Sequence, residues 1–241
     1  MKEEHFFYVP NAHKAEQLPE EEAKHAIRVL RLNSDDKIYL QDGQGTFYHA
    51  EVTMTDKKHC FYNILEAMPQ EKSWKGHIHL AIAPTKMMER MEWMVEKATE
   101  VGFDEISFLN CKFSERKTIR KDRIERIVVS AFKQSRKPWM PIVNEMTSFD
   151  DFISQKRRGL KYICHCYNEI PKSDFFNDIT NITDAEDITV LVGPEGDFSI
   201  DEVRLALQQG YKSVTLGASR LRTETAGLAA VMMSQLARRK D

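Results

Sequence analysis

The spacing of apolar residues changes character near residue 72. Before that point short stretches alternate apolar and polar positions, the period-two pattern of strands with one covered face. They predict strands at His5–Val9, Lys37–Gln41, Phe47–Met54 and Cys60–Ala67, with Asp42-Gly43-Gln44-Gly45 as a turn between two of them. One segment has helical spacing instead. From about Glu20 to Leu32, Ala23, Ile27 and Leu30 recur on one side, and Lys24, Arg28 and Arg31 fall on the other. The polar stretch Pro69-Gln70-Glu71-Lys72-Ser73 opens with proline and marks a boundary, so residues 1–72 read as a small β-rich domain.

From His77 onward, apolar runs and helical patterns take turns. The runs are Ile78–Ala83, Glu105–Leu109, Tyr162–Tyr167, Ile188–Val192 and Ser213–Leu216. The helices lie near Lys86–Val101, Arg123–Ser135, Phe149–Lys156, Ile200–Gln209 and Thr223–Arg238. This alternation predicts an α/β domain with a mostly parallel sheet over residues 73–241. Ser199 with Glu202 three residues on reads as a capping box, and Phe198 and Val203 are spaced for a hydrophobic staple. A helix start of this kind offers amide N–H groups to an anionic or electron-rich ligand.

Two late loops carry the candidate chemistry. Gly193-Pro194-Glu195-Gly196-Asp197-Phe198 follows one apolar run, and Leu216-Gly217-Ala218-Ser219-Arg220-Leu221-Arg222-Thr223-Glu224-Thr225-Ala226 follows another. In a parallel sheet the two are expected to leave the same edge as neighbours, where open α/β sheets bind ligands. Neither loop has the glycine spacing of a dinucleotide fingerprint or a P-loop, which disfavours those readings. Glu195 between glycines is unusual for a plain turn. Thr223 reads as an ordinary helix cap and Glu224 suits a first helical turn, but Arg222 is a cation at the positive end of a helix and calls for an anionic partner.

Composition narrows the class. The chain has 241 residues, 41% hydrophobic and 30% charged, enough for a core beneath a polar surface. No apolar run approaches the roughly 18 residues of a membrane span. Met1-Lys2-Glu3-Glu4-His5-Phe6 lacks a leader signature, and Cys60, Cys111, Cys164 and Cys166 are too irregular for a disulfide framework. The expectation is a cytoplasmic protein. Cys164-His165-Cys166 hints at a metal, but no second ligand pair lies nearby, and alternation within a buried strand explains it better; no metal is expected. The net charge of −2 hides a stripe: residues 110–140 hold 10 Lys/Arg against 3 Asp/Glu. Such a stripe is either a solvated helix face or a polyanion contact. The last helix is apolar around much of its girth, with Leu228, Ala229, Ala230, Val231, Met232, Met233 and Leu236, so its own domain or a second copy must cover it.

The paired loops resemble those of the RsmE family of ribosomal RNA methyltransferases, which belong to the SPOUT class. The resemblance rests on Gly193-Pro194-Glu195-Gly196 with Phe198-Ser199 and Glu202, and on Leu216-Gly217 with Leu221-Arg222-Thr223-Glu224-Thr225-Ala226. It extends to His25, Arg28-Val29-Leu30-Arg31 and Asp42-Gly43-Gln44-Gly45 in the first domain. In the second it takes in Lys86, Lys97-Ala98-Thr99-Glu100, Gly102, Arg116, Gln134-Ser135 and Pro141. The chain departs from the family at Asp197, where a glycine is usual, at Arg220, where an aliphatic residue is usual, and in Glu100-Val101-Gly102-Phe103.

The resemblance implies a PUA-like β-barrel domain over 1–72 and a SPOUT domain over 73–241 whose C-terminal chain threads a deep trefoil knot. It implies methyl transfer from S-adenosyl-L-methionine to N3 of a uridine in the decoding region of 16S rRNA, by a homodimer. Carried onto this sequence, it makes Leu191, Gly193, Pro194, Glu195, Gly196, Leu216, Gly217, Leu221, Arg222, Thr223 and Ala226 the cofactor site. Arg222 would stabilise charge on the uracil, with Glu224 or Glu195 as base. Lys24, Arg28, Arg31, Lys86, Arg116 and Arg136 would hold RNA. Other readings stay open: a SPOUT enzyme acting on a ribose 2′-O or a tRNA base, a non-catalytic RNA-binding module, and a nucleotide-dependent oxidoreductase.

Overall fold

The computed structural model describes residues 5–181 and 187–240. Met1–Glu4, part of the segment read for a leader, lie outside the described residues. The chain divides into two compact units, Met1–Lys72 with Phe132–Met140, and Ser73–Ala131 with Pro141–Asp241.

The first unit holds β1 (Phe6–Tyr8), α1 (Glu20–Arg28), β2 (Lys37–Gln41), β3 (Thr46–Thr55) and β4 (Cys60–Pro69), joined in one sheet of order β1-β2-β3-β4. β1 runs parallel to β2, and the other pairs are antiparallel. Alternation does the sorting: Phe7, Ile38, Leu40, Tyr48, Ala50 and Val52 are buried with Ala23 and Ala26 of α1, while Phe6, Tyr39 and His49 face outward. The helix is shorter than its pattern predicts. It ends at Arg28, and the amide of Leu32 reaches back to the Ala26 carbonyl at 3.0 Å while Arg31 turns through φ 54. Arg31 therefore leaves the face shared by Lys24 and Arg28.

The Asp42-Gly43-Gln44-Gly45 turn has a reason that lies far along the chain. Gly45 donates its N–H to Pro138 O at 2.9 Å, and Met140 donates to Gly43 O at 3.0 Å. At Gly45, with φ +99, a Cβ would lie 2.3 Å from the Trp139 ring. Only glycine fits there. This segment, Phe132–Met140, is the part of the first unit that local sequence pattern did not reveal.

The second unit contains β5 (Ile78–Ile82), α2 (Met88–Val101), β6 (Glu105–Asn110), most of α3 (Lys121–Gln134), β7 (Ile142–Ser148), α4 (Phe149–Ser154) and β8 (Leu160–Cys164). It continues with β9 (Ser173–Asp174), α5 (Phe175–Thr180), β10 (Ile188–Val192), α6 (Ile200–Gln208), β11 (Lys212–Thr215) and α7 (Thr223–Arg238). The sheet order is β7-β6-β5-β10-β8-β11-β9, and its pairs are parallel. β5 and β10 are buried throughout, as central strands covered on both faces must be. The expected α/β architecture is present, with one correction. β10 and β11 are not neighbours, because β8 lies between them. β7, β9 and α5 were not foreseen: β7 is an edge strand carrying Asn144 and Glu145, and β9 spans two residues. Among the described residues no helix is long and apolar enough to cross a membrane.

Candidate active site

Three loops leave the C-terminal ends of β10, β8 and β11 and enclose a cavity of about 480 Å³. That is a usual size for a small-molecule site. The β10 loop contributes Val192, Gly193, Pro194, Glu195 and Asp197. The β11 loop and the start of α7 contribute Val214, Thr215, Leu216, Ser219, Arg220, Leu221, Arg222, Thr223, Glu224 and Ala226. Cys164, His165 and Cys166 come from β8 and its loop, and Arg90 comes from α2.

The β10 loop is closed by a turn in which Asp197 N–H donates to Pro194 O at 2.9 Å. Inside that turn a Cβ on Gly193 would meet Phe198 N at 3.0 Å, so the backbone can fold this tightly only around glycine. Asp197 adopts φ 67, in the left-handed region that aspartate tolerates better than most residues. Its two carboxylate oxygens accept the backbone N–H groups of Cys166 and Phe198, each at 2.7 Å. The helix that follows has the predicted capping box: the Ser199 hydroxyl accepts Glu202 N–H, and Glu202 accepts Ser199 N–H at 2.7 Å.

Glu195 is exposed and accepts the Lys86 backbone N–H at 2.8 Å. Arg116 braces the same segment, donating to Thr85 O at 3.1 Å and Lys86 O at 2.6 Å. The Lys86 ammonium pairs with Glu115 at 2.7 Å, which raises its pKa. Two residues expected to touch RNA thus hold the Glu195 carboxylate in place.

At the start of α7 the N-cap is Arg222, with φ −71 and ψ 156 and no side-chain cap bond. Thr223, expected as the cap, is instead the first residue of the helix and is buried. Among the described residues no hydrogen bond or ion pair holds the Arg222 guanidinium, or that of Arg220. Glu224 is buried, and its cation is Arg90 at 3.8 Å. The anionic partner that the helix-end argument expects for Arg222 is therefore not found among the described residues, although Arg222 and the buried Glu224 line the same cavity.

The β8 loop corrects the strand reading of Cys164-His165-Cys166. The strand stops at Cys164, and His165 and Cys166 turn into the cavity wall. His165 Nδ1 accepts Tyr167 N–H at 3.2 Å, which leaves Nε2–H to donate to Ser213 Oγ at 2.6 Å. Burial, with Lys172 nearby, lowers its pKa and keeps it neutral. Burial pushes the Cys164 thiol up to about 12, so it is no nucleophile at neutral pH.

Of the other expected site residues, Leu191 is fully buried in the core against Phe198 and Val203, one position before the cavity wall. Gly196 is outside the wall and lies against Phe113, and Gly217, with φ +124, has open space around it. In the first unit, Lys24 is held by Glu20 at 2.8 Å and Glu21 at 3.0 Å, and Arg136 stacks over Phe6 at 4.6 Å. Sequence reasoning missed Arg90, whose only signal was to precede Met91 of a helical methionine stripe.

Comparison with known proteins agrees with this geometry. A family model described as an RNA methyltransferase domain matches residues 72–235, and one described as an RNA methyltransferase PUA domain matches residues 18–65. The ribosomal RNA small subunit methyltransferase E of Aquifex aeolicus is 30% identical over 215 residues, 87% of this chain and 89% of that protein. A crystal structure of a probable rRNA-methyltransferase from Porphyromonas gingivalis superposes with a TM-score of 0.90 at 38% identity, covering 97% of this chain and 98% of the other. The ribosomal RNA small subunit methyltransferase E of Neisseria gonorrhoeae, solved bound to S-adenosyl methionine, superposes at 0.81 with 28% identity, covering 97% and 98%.

Proposed function

Because the chain belongs to the ribosomal RNA small subunit methyltransferase E family, we propose that it methylates N3 of one uridine in the decoding region of 16S rRNA, using S-adenosyl-L-methionine. The observation that carries this reading is the unpaired Arg222 beside the buried Glu224 in a cavity at the strand ends. The cofactor fits the donor set. Val192, Pro194, Leu216 and Leu221 offer apolar walls, glycine lets the loop backbone approach closely, and Arg220 supplies a cation for a carboxylate. When bound, S-adenosylmethionine supplies an already activated methyl group, so alignment is the main requirement on that side.

The protein's own work is on the uracil. Its N3–H is protonated at neutral pH, and loss of that proton spreads negative charge onto the flanking carbonyl oxygens. Arg222 faces that charge with a planar pair of donors, as an oxyanion hole does. Glu224, 3.8 Å from Arg90, takes the proton. Glu195 acts one step back, holding the Lys86 backbone against the loop. An unpaired base must be splayed out to enter.

The same reading includes a trefoil threading of the second unit and a homodimer in the cytoplasm. Met232 and Leu236, four residues apart on α7, are 44% and 55% exposed, an apolar face that a second copy would cover. Sedimentation showing only monomer at micromolar concentration would remove the dimer. The activity is tested by incubating the purified protein with S-adenosylmethionine and small ribosomal subunits, then digesting the rRNA for nucleoside mass spectrometry. 3-Methyluridine should appear, and its absence with another methylated nucleoside present would reassign the acceptor.

A further inference from the structure

We propose that Phe113 is a stacking platform for an unpaired base of the RNA next to the target nucleotide. The inference rests on the RNA methyltransferase reading and adds a residue to it. Phe113 lies in the loop between β6 and α3 and is 47% exposed. It is nevertheless held still. The buried Ser114 accepts the Cys111 N–H on its hydroxyl at 3.0 Å and returns its own N–H to Cys111 O at 3.0 Å. The base of the side chain rests on the catalytic loop, where a Cβ on Gly196 would lie 3.2 Å from Phe113 Cβ.

One cation lies over the ring. Lys112 Nζ stands 5.9 Å from its centroid and 3.8 Å from the exposed Asp201 carboxylate, and Lys117, four residues beyond Phe113 in the loop, is exposed with no partner among the described residues. Both lysines stand on the rim of a second cleft of about 460 Å³ at the ends of β6 and β7, whose other side carries Asp150, Asp201 and Glu202. A single exposed phenylalanine is ordinary on a protein surface. One fixed by a closed turn, seated on the loop that lines the cofactor cavity and set beside a lysine, has the parts by which single-stranded RNA is held. Those parts are an aromatic surface for a splayed base and point charges for the phosphates around it. The target base enters the cavity, its neighbour stacks on Phe113, and the strand leaves past Lys117.

The test uses the full chain and a single-stranded oligouridylate carrying one 2-aminopurine, read by fluorescence. Phe113→Ala should weaken binding about 5- to 100-fold, the range that base–aromatic stacking supplies. Phe113→Trp should retain affinity and quench the probe, whereas Phe113→Leu should fall with alanine because it keeps bulk without a π-face. Cofactor binding by calorimetry should stay unchanged, since every variant keeps the Cβ that meets Gly196. Leucine binding as tightly as phenylalanine, or unaltered RNA affinity in Phe113→Ala, would overturn the inference. Methyl transfer by the wild-type protein is measured alongside. Its failure would count against the functional reading, and its success with an indifferent Phe113 against this inference alone.

Discussion

Asp197 and Cys166, thirty-one residues apart, are joined by a 2.7 Å hydrogen bond from the Cys166 backbone N–H to the Asp197 carboxylate. That bond ties the β8 loop to the β10 loop across the cavity mouth. It also explains a departure from the family at this position. A glycine satisfies the left-handed backbone without strain; aspartate at φ 67 accepts a modest strain and adds two charge-assisted hydrogen bonds. Asp197→Ala would keep the strain and lose both bonds, and should cost about 2–4 kcal/mol. Asp197→Gly loses the bonds but relieves the backbone, so it should melt between alanine and wild type. Thermal melts that ranked alanine at or above glycine would show that the left-handed backbone is not what selects this residue.

Arg222 should matter for turnover and little for folding, since nothing within the described chain is paired with it. Arg222→Ala should lower kcat by roughly 10²–10³, as loss of an oxyanion-hole donor does, with cofactor affinity and melting temperature nearly unchanged. Arg222→Lys should rescue poorly, because a point charge lacks the planar fork. Near-normal turnover at saturating RNA would remove the catalytic role.

The basic residues divide by partner. Lys117 is unpaired among the described residues, whereas Lys24 is already neutralised by Glu20 and Glu21. Lys117→Glu should weaken RNA binding and reduce the slope of log affinity against log salt by about 0.7–0.9 per lost phosphate contact. Lys24→Glu should change either quantity much less. Arg116 is a poor probe of RNA binding, because charge reversal there would also free the Thr85–Lys86 segment that Glu195 holds. Equal salt slopes for the Lys117 and Lys24 variants would refute the division.

His79 sets a pH limit on stability. It is buried on β5, hydrogen-bonded to Ser107 and facing Glu105, His77, Arg157 and Phe152; burial lowers its pKa to about 4. Between about pH 4 and 6.5 the unfolded chain binds a proton that the folded chain refuses. The stabilisation is therefore whole above pH 6.5 and is lost as pH falls toward 4, by at most about 3 kcal/mol. The Glu105 carboxyl, held near 2 first by its hydrogen bond to His77, adds a separate loss below the ordinary carboxylate range. Urea titrations of His79→Gln should be flatter than wild type from pH 6.5 to 4.5, and a parallel decline would place the sensitivity elsewhere.

Much of the second unit was legible because its signals are local. The central strands are continuous apolar runs, and Ser199 with Glu202 marks the start of α6 without reference to anything distant. The strands that escaped notice are those whose identity comes from a neighbour. β7 is half polar and β9 is two residues long, so each is a strand only because an adjacent strand supplies its hydrogen bonds.

The sequence by itself determined the two-part organisation, the α/β class, the loops that line the cavity and the uncompensated charge of Arg222. Each follows from periodicity, turn chemistry or charge within a few residues. Tertiary structure alone decided that β8 separates β10 from β11, which brings His165 and Cys166 to the cavity, and that Arg90 stands beside Glu224. It also decided that Phe132–Met140 packs on the glycine turn of the first unit. Strand order and long-range pairing are chosen by the energy of burying whole faces together, a sum over distant segments that no local pattern encodes.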